Sequence, residues 1–148
     1  MANAGRFDIQ VSEPYGPSGL NLDALRGANK ARLPTFKNAK GERSHSEADG
    51  SDWSLNDWMT AVIGEAGEAA NLLKKVRRGD MTLDEARPAL AKEFADVLTY
   101  LDILAFRCGV DLGAATVEKF NEISRRVGSP VRLGPSDWHY EPADVNHA

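Results

Sequence analysis

The sequence predicts an all-α protein, and three observations support this fold class. Two long segments place apolar residues at the i, i+3, i+4, i+7 spacing that forms one face of an α-helix. Capping residues and glycines bracket the helical segments. No segment shows a convincing alternation of apolar and polar residues of the kind that marks a β-strand. We therefore expect a helix hairpin with two flanking helices, which together form a four-helix core.

Composition limits the classes of function. The chain has 148 residues, of which 42% are hydrophobic, enough for one domain with a sizeable core. Its net charge of −4 provides no basic footprint for a nucleic-acid polymer. It has neither a secretory leader nor an apolar run near the ~18 residues that a membrane span needs. The single cysteine, Cys108, is expected to be buried, and a cytoplasmic protein that binds no membrane is predicted.

The first third of the chain alternates between irregular and helical segments. Residues 1–19 are polar and interrupted by proline and glycine, so we expect a flexible N-terminal arm. Asn21 can cap a first helix, which Pro34 should end. The 38–53 segment is rich in Ser, Glu, Asp and Lys and is predicted to be a loop, either a lid or disordered. His45 in this loop is expected to be exposed.

The central helices have clear boundary signals, with one conflict. Ser54 is a good N-cap for a second helix that continues to residue 78, and Gly79 follows as its C-cap. A capping-box pattern begins at Thr82, yet Pro88 would break a helix six positions later. We therefore predict a short turn and a third helix that starts at Pro88 and runs to about Arg107.

The last helix and the tail complete the predicted organisation. Asp111 can cap a fourth helix that Gly128 ends, so the helical domain covers residues 20–128. Residues 129–148 contain three prolines and are predicted to form a non-helical C-terminal tail.

Two pairs of acids on the central helices are the strongest candidates for chemistry. Glu65 and Glu68 are three residues apart, as are Glu93 and Asp96, so each pair shares one face of its helix at the border of an apolar stripe. Antiparallel packing of the two helices would bring all four carboxylates to one groove. Crowded carboxylates disfavour their own ionisation unless a cation offsets the repulsion. Oxygen-only ligands suit Mg²⁺, or Mn²⁺.

Two other classes of function remain open at this point. The acids can instead be solvated surface charges on a non-catalytic helical module that binds another protein. A carboxylate-bridged redox metal protein is the second alternative. The absence of a Glu-x-x-His motif argues against it.

Three residues near the acids are candidates for substrate binding. Trp58 lies seven residues before Glu65 on the same helix face, where an indole could stack on a base, although core packing is the usual role of such a tryptophan. Lys75 lies seven residues beyond Glu68 and could meet a phosphate. Asn71, three beyond Glu68, could hydrogen-bond a ligand or a metal-bound water.

The acid pairs also carry a resemblance to a known family. Residues 64–71 read GEAGEAAN and residues 93–101 read EFADVLTYL. Together they resemble the E-x-x-E…E-x-x-D signature of MazG-like nucleoside triphosphate pyrophosphohydrolases, and the likeness extends over about residues 55–127. The resemblance implies an all-α, Mg²⁺-dependent homodimer or homotetramer that hydrolyses an NTP or dNTP to the monophosphate and pyrophosphate, in nucleotide-pool house-cleaning. It also implies that Lys119 contacts phosphate and that Asn121 lines the pocket.

The width of the apolar stripe independently favours self-association. The apolar sector of the 54–78 helix spans nearly half its circumference, which exceeds what one partner helix can cover. We therefore expect a homo-oligomer.

Overall fold

The computed structural model describes residues 20–47 and 49–134. Four α-helices form this part of the chain, and a short 3₁₀ turn, Leu33–Thr35, follows the first of them. The helices are α1 (Leu22–Arg32), α2 (Leu55–Arg78), α3 (Leu83–Arg107) and α4 (Leu112–Arg126). The all-α fold with a four-helix core is therefore confirmed. The predicted arm, 1–19, and most of the predicted tail lie outside the described residues.

Side-chain caps fix three of the helices where the sequence predicted. The side chain of Asn21 caps α1, and that of Asp111 caps α4. At the start of α2 the backbone N–H of Ser54 donates to Asp57 Oδ2 over 2.8 Å, and the Asp57 N–H donates to Ser54 Oγ over 3.3 Å. Gly79 closes α2 in the left-handed conformation, with a φ of 79°. The boundaries predicted for these helices are confirmed.

The predicted break at Pro88 is wrong. Helix α3 begins at Leu83, under a complete capping box formed by Thr82 and Glu85, and continues through Pro88 to Arg107. The capping signal therefore outweighs the proline signal at this position.

The packing of α3 explains why the proline is tolerated. Pro88 lies in the second turn, where its ring removes the single hydrogen bond that its N–H would have donated to the Asp84 carbonyl. On either side of it, Ala86 is fully buried and Leu90 is 5% exposed, and both pack against Ala69 of α2. Burial on both sides of the proline offsets the lost bond and holds the first turns in line with the rest of the helix.

The core lies mainly between α2 and α3, which form an antiparallel hairpin. One cluster joins Trp58 of α2 to Ile103 and Leu104 of α3, and Leu33 after α1 completes it. Helix α1 packs on α3, whereas α4 contacts α1 and α3 but, within the described ranges, not α2. The hairpin is thus the frame on which the remaining elements rest. None of the described helices is long and apolar enough to cross a membrane.

A buried ionic network that the sequence did not indicate fastens α1 to α3. Asp102 is fully buried and accepts hydrogen bonds of 2.9 Å from Arg26 Nε and 2.9 Å from Asn29 Nδ2. The two carboxylate oxygens are both used, so the buried charge is compensated.

Two side-chain environments differ from the predictions. Cys108 is exposed, because it follows the last turn of α3 and lies beyond the apolar stripe. His45 is half-buried instead of exposed, because its ring packs between those of Phe36 and Trp53.

Candidate active site

Three acids from the two hairpin helices meet at one place. Carboxylate oxygens of Glu65, Glu93 and Asp96 all lie within 4.8 Å of one another. Glu65 and Glu93 are half-buried, and Asp96 is exposed. The antiparallel packing of α2 on α3 produces this arrangement, because each acid borders the stripe that the other helix covers. We call these three residues the carboxylate cluster.

The fourth predicted acid, Glu68, lies one turn further along α2 and is exposed. It stays outside the carboxylate cluster but borders a groove of about 370 Å³ together with Glu93, Asn71 and Lys75. Its charge is close enough to contribute to a raised pKa at Glu65. Asn71 and Lys75 therefore lie beside the acids, as their spacing predicted, and Asn71 Oδ1 accepts a hydrogen bond of 2.8 Å from Lys74 Nζ.

The electrostatics of the cluster are unbalanced. Burial raises the pKa of Glu65 above its usual range, and the negative charges of Asp96, Glu68 and Glu93 raise it further. No residue in the described ranges forms an ion pair with any of the four acids. An all-oxygen ligand set with uncompensated negative charge fits a hard divalent cation. The residues present therefore suit Mg²⁺ or Mn²⁺.

A chain of aromatic rings begins next to the cluster. Burial raises the pKa of Tyr100, and the charges of Glu65 and Asp96 add to this effect, so the phenol lies near the acids. Its ring centroid is 6.2 Å from that of Trp58, which in turn lies 4.7 Å from Trp53.

The position of Trp58 bears on its two predicted roles. Its side chain is fully buried in a core cluster, which favours the core-packing role, and base stacking by Trp58 stays a prediction. The half-buried rings of the group are that of Tyr100 and, from the 38–53 loop and its flank, those of His45, Trp53 and Phe36. Sequence reasoning proposed that Phe36 could reach a nucleotide, but it missed His45 and Trp53 because the loop is otherwise polar. The aromatic residues at and near the ends of the 38–53 loop were the feature of the sequence that could have indicated this group.

The two candidates on α4 lie apart from the acids within one chain. Lys119 is exposed and pairs with Glu122 over 2.7 Å. The Asn121 side chain donates to the Leu133 carbonyl and accepts from the Leu133 N–H, both over 2.8 Å, and so fastens the following segment to α4. Neither residue lines the groove beside Glu68, and α4 does not contact α2 in the described part of the chain.

Comparison with known proteins yields a consistent group of relatives. The chain is 35% identical to the Bos taurus protein named dCTP pyrophosphatase 1 over 127 residues, which cover 80% of this chain and 73% of the relative. The Homo sapiens protein of the same name is 36% identical over 102 residues, covering 63% of this chain and 58% of the relative. Gene 37 protein of Mycobacterium phage L5 is 35% identical over 78 residues, covering 51% of this chain and 68% of that protein.

Several of these matches cover only part of the relative's length. The chain spans 58% of the human relative and 62% of the rat relative, and no family model matches it. No solved structure matches it at the same level of significance. The match to the bovine protein nevertheless covers most of both chains. The chain therefore belongs to the MazG-like family of all-α nucleoside triphosphate pyrophosphohydrolases.

Proposed function

We propose that this protein is a Mg²⁺-dependent pyrophosphohydrolase that converts an NTP or dNTP into the monophosphate and pyrophosphate, in nucleotide-pool house-cleaning. The observation that carries the proposal is the carboxylate cluster, in which three acids converge without a cationic partner among the described residues. Membership of the family adds the class of reaction. The relatives named dCTP pyrophosphatase 1 make dCTP the first substrate to test.

The metal would be held by Glu65, Glu93 and Asp96, with Glu68 available from the next turn of α2. When bound, Mg²⁺ supplies electrostatic stabilisation to a phosphoryl oxygen and lowers the pKa of a coordinated water, and Mn²⁺ can take the same ligands. The non-catalytic interaction module remains the alternative, and it predicts no preference of these acids for a hard cation.

The remaining residues along the groove would bind the phosphates and the attacking water. In hydrolysis the water oxygen bonds to the α-phosphorus, the bond from that phosphorus to the bridging oxygen breaks, and pyrophosphate leaves. Lys75, which borders the groove with Glu68, would neutralise charge on the departing phosphates, and Asn71 would hydrogen-bond them. If the three acids of the carboxylate cluster alone hold the metal, Glu68 is the carboxylate left to orient the water and accept its proton.

The aromatic group offers a place for the base. Base stacking on aromatic side chains contributes about 1–3 kcal/mol per base and is possible for every base, because each has a π-face. We assign this role to the half-buried rings of His45 and Trp53, which the buried Trp58 supports from beneath. Tyr100 links these rings to the carboxylates, so a nucleotide could place its base on the loop and its phosphates at the acids.

A second copy of the chain is the proposed protein partner. Leu55, Met59 and Ile63 recur every fourth residue on α2 and are 50%, 45% and 63% exposed, and on α3 Phe94 is 55% exposed. At about 100° per residue, these positions lie on the side of the hairpin away from the groove. Rows of exposed apolar side chains on one face are typical of subunit interfaces, so a homodimer or homotetramer is proposed. Phosphate contact by Lys119 and pocket lining by Asn121 remain predictions that depend on this assembly.

A pyrophosphate-release screen tests the proposed function. Purified protein is incubated with canonical and modified NTPs and dNTPs, dCTP included, in the presence of Mg²⁺ or of EDTA. We expect release of pyrophosphate in equal amount to the monophosphate, in Mg²⁺ only. Absence of turnover with every nucleotide would favour the interaction module, and light scattering in solution tests the oligomer separately.

A further inference from the structure

A side chain of the 38–53 loop, that of Asp52, fastens the backbone of the same loop. Asp52 Oδ2 accepts hydrogen bonds from two consecutive backbone N–H groups, those of Ser46 over 2.5 Å and of Glu47 over 3.1 Å. Ser46 is 5% exposed, so this part of the loop is buried although its composition is polar. The Asp52 carboxylate thus supplies partners for amides that would otherwise be costly to bury.

The residue just before this clamp has an unusual backbone conformation. His45 has a φ of 46°, and within the described ranges it is the one non-glycine residue with positive φ. Such a conformation is uncommon for side chains other than Gly, Asn, Asp and His, and it persists where the surroundings hold it. The centroid of the His45 ring lies 4.7 Å from those of both Phe36 and Trp53. Ring packing and the Asp52 clamp together hold His45 in this conformation.

A long-range contact ties the clamp to helix α3. Arg107, the last residue of α3, donates from Nη2 to the Glu47 carbonyl over 2.7 Å, across 60 positions of sequence. Hydrogen bonds from guanidinium groups are stronger than those between neutral partners. The same helix carries Glu93, Asp96 and Tyr100, so the loop and the acids share one rigid support.

We propose that Arg107 and Asp52 are positioning residues for nucleobase recognition. They hold the rings of His45 and Trp53 as a preformed wall, which Trp58 and Tyr100 connect to the carboxylates. The loop is accordingly a fixed element of the site and not a mobile lid. The inference rests on the proposed function and deepens it. Arg107 touches no substrate in this scheme and acts only through the loop.

Steady-state kinetics of Arg107→Met tests the role, because the substitution keeps an apolar stem and removes the donors. We expect KM for dCTP to rise about tenfold with kcat within about twofold, the size expected for loss of one charge-assisted hydrogen bond. The inhibition constant of Mg²⁺-tripolyphosphate, which has no base, should not change. Arg107→Lys should show a smaller rise in KM than Arg107→Met. Arg126→Met, at the end of α4, should have the KM and kcat of the wild type.

Hydrogen exchange gives a readout that is independent of activity. The amides of Ser46 and Glu47 should exchange at least about tenfold faster in Arg107→Met, while the middle of α2 keeps its protection. Unchanged exchange in an active enzyme would overturn the positioning role alone, as would an equal loss of dCTP and tripolyphosphate affinity. A wild-type protein that hydrolyses no nucleotide would overturn the proposed function, and the positioning role with it, whatever the exchange shows.

Discussion

Neutralising Glu65 should make the metal-free protein more stable and the Mg²⁺-loaded protein less stable. In Glu65→Gln the amide keeps the shape of the side chain but removes its charge from the carboxylate cluster. The raised pKa of Glu65 has a defined consequence, because the folded chain holds this proton more tightly than the unfolded chain. The stability of the metal-free wild type therefore falls as pH rises from about the ordinary 4.5 through the folded pKa, and the penalty is fully present above the folded pKa.

The magnitude follows from the separation of the charges. At 4.8 Å two unit charges repel by about 0.9 kcal/mol in water and about 3.5 kcal/mol at an effective dielectric of 20. Because the cluster is partly exposed, the lower figure applies, and Glu65 has two cluster partners. Its neutralisation should therefore stabilise the metal-free protein by about 1–2 kcal/mol, equivalent to a rise in Tm of about 3–6 °C.

Thermal unfolding in EDTA and in Mg²⁺ measures both effects. For the wild type, Mg²⁺ at a hundred times its Kd should add about 2.7 kcal/mol of stability, whereas the variant should gain little. The curves of Tm against Mg²⁺ concentration for the wild type and for Glu65→Gln should therefore cross. Glu118→Gln, an exposed acid on α4, is the matched control and should follow the wild type. A Glu65→Gln protein that gains nothing in EDTA and keeps the full Mg²⁺ shift would refute the reasoning.

Three further substitutions separate the roles of other groups. Glu68→Gln should keep most of the Mg²⁺-induced rise in Tm but hydrolyse nucleotide at least about a hundredfold more slowly, and loss of both together would assign Glu68 to the metal instead. Burial holds the pKa of His45 below its usual 6.5, against a smaller opposite effect of Asp52, so wild-type stability should fall as pH drops below 6.5. His45→Asn should lack this part of the fall, as urea midpoints at about pH 5 and pH 7 would reveal. Asp102→Asn should lower the free energy of unfolding by about 3 kcal/mol in urea titrations, because it weakens a buried ion pair, and a loss near zero would contradict that account.

The predictable parts of the fold are those that short-range rules decide. Asn21, Ser54 and Asp111 are capping residues whose effect lies within one turn, so three helix starts were predicted correctly. The convergence of Glu65 with Glu93 also follows from spacing, once the two apolar stripes are assumed to face each other.

The remaining features depend on contacts that are distant in sequence. Pro88 is accommodated because packing against α2 outweighs a local rule, and no window around the proline contains that information. In the 38–53 loop the Glu47 carbonyl accepts a hydrogen bond from Arg107, 60 positions away, so the polar composition of the loop alone gave no sign of burial. The hydrogen bond from the Asn121 side chain to the Leu133 carbonyl similarly depends on the path of the chain after α4, because it joins residues 12 positions apart.

The buried network around Asp102 has a consequence for the order of folding. The α2–α3 hairpin is joined by a turn of four residues and can form through local contacts, whereas Asp102 meets Arg26 across 76 positions of sequence. Closing so long a loop is entropically costly, so α1 should dock after the rate-limiting step. Disturbing the network should then accelerate unfolding and leave the folding rate nearly unchanged. The ion pair would thus govern how long the finished structure lasts and have little influence on how quickly it is reached.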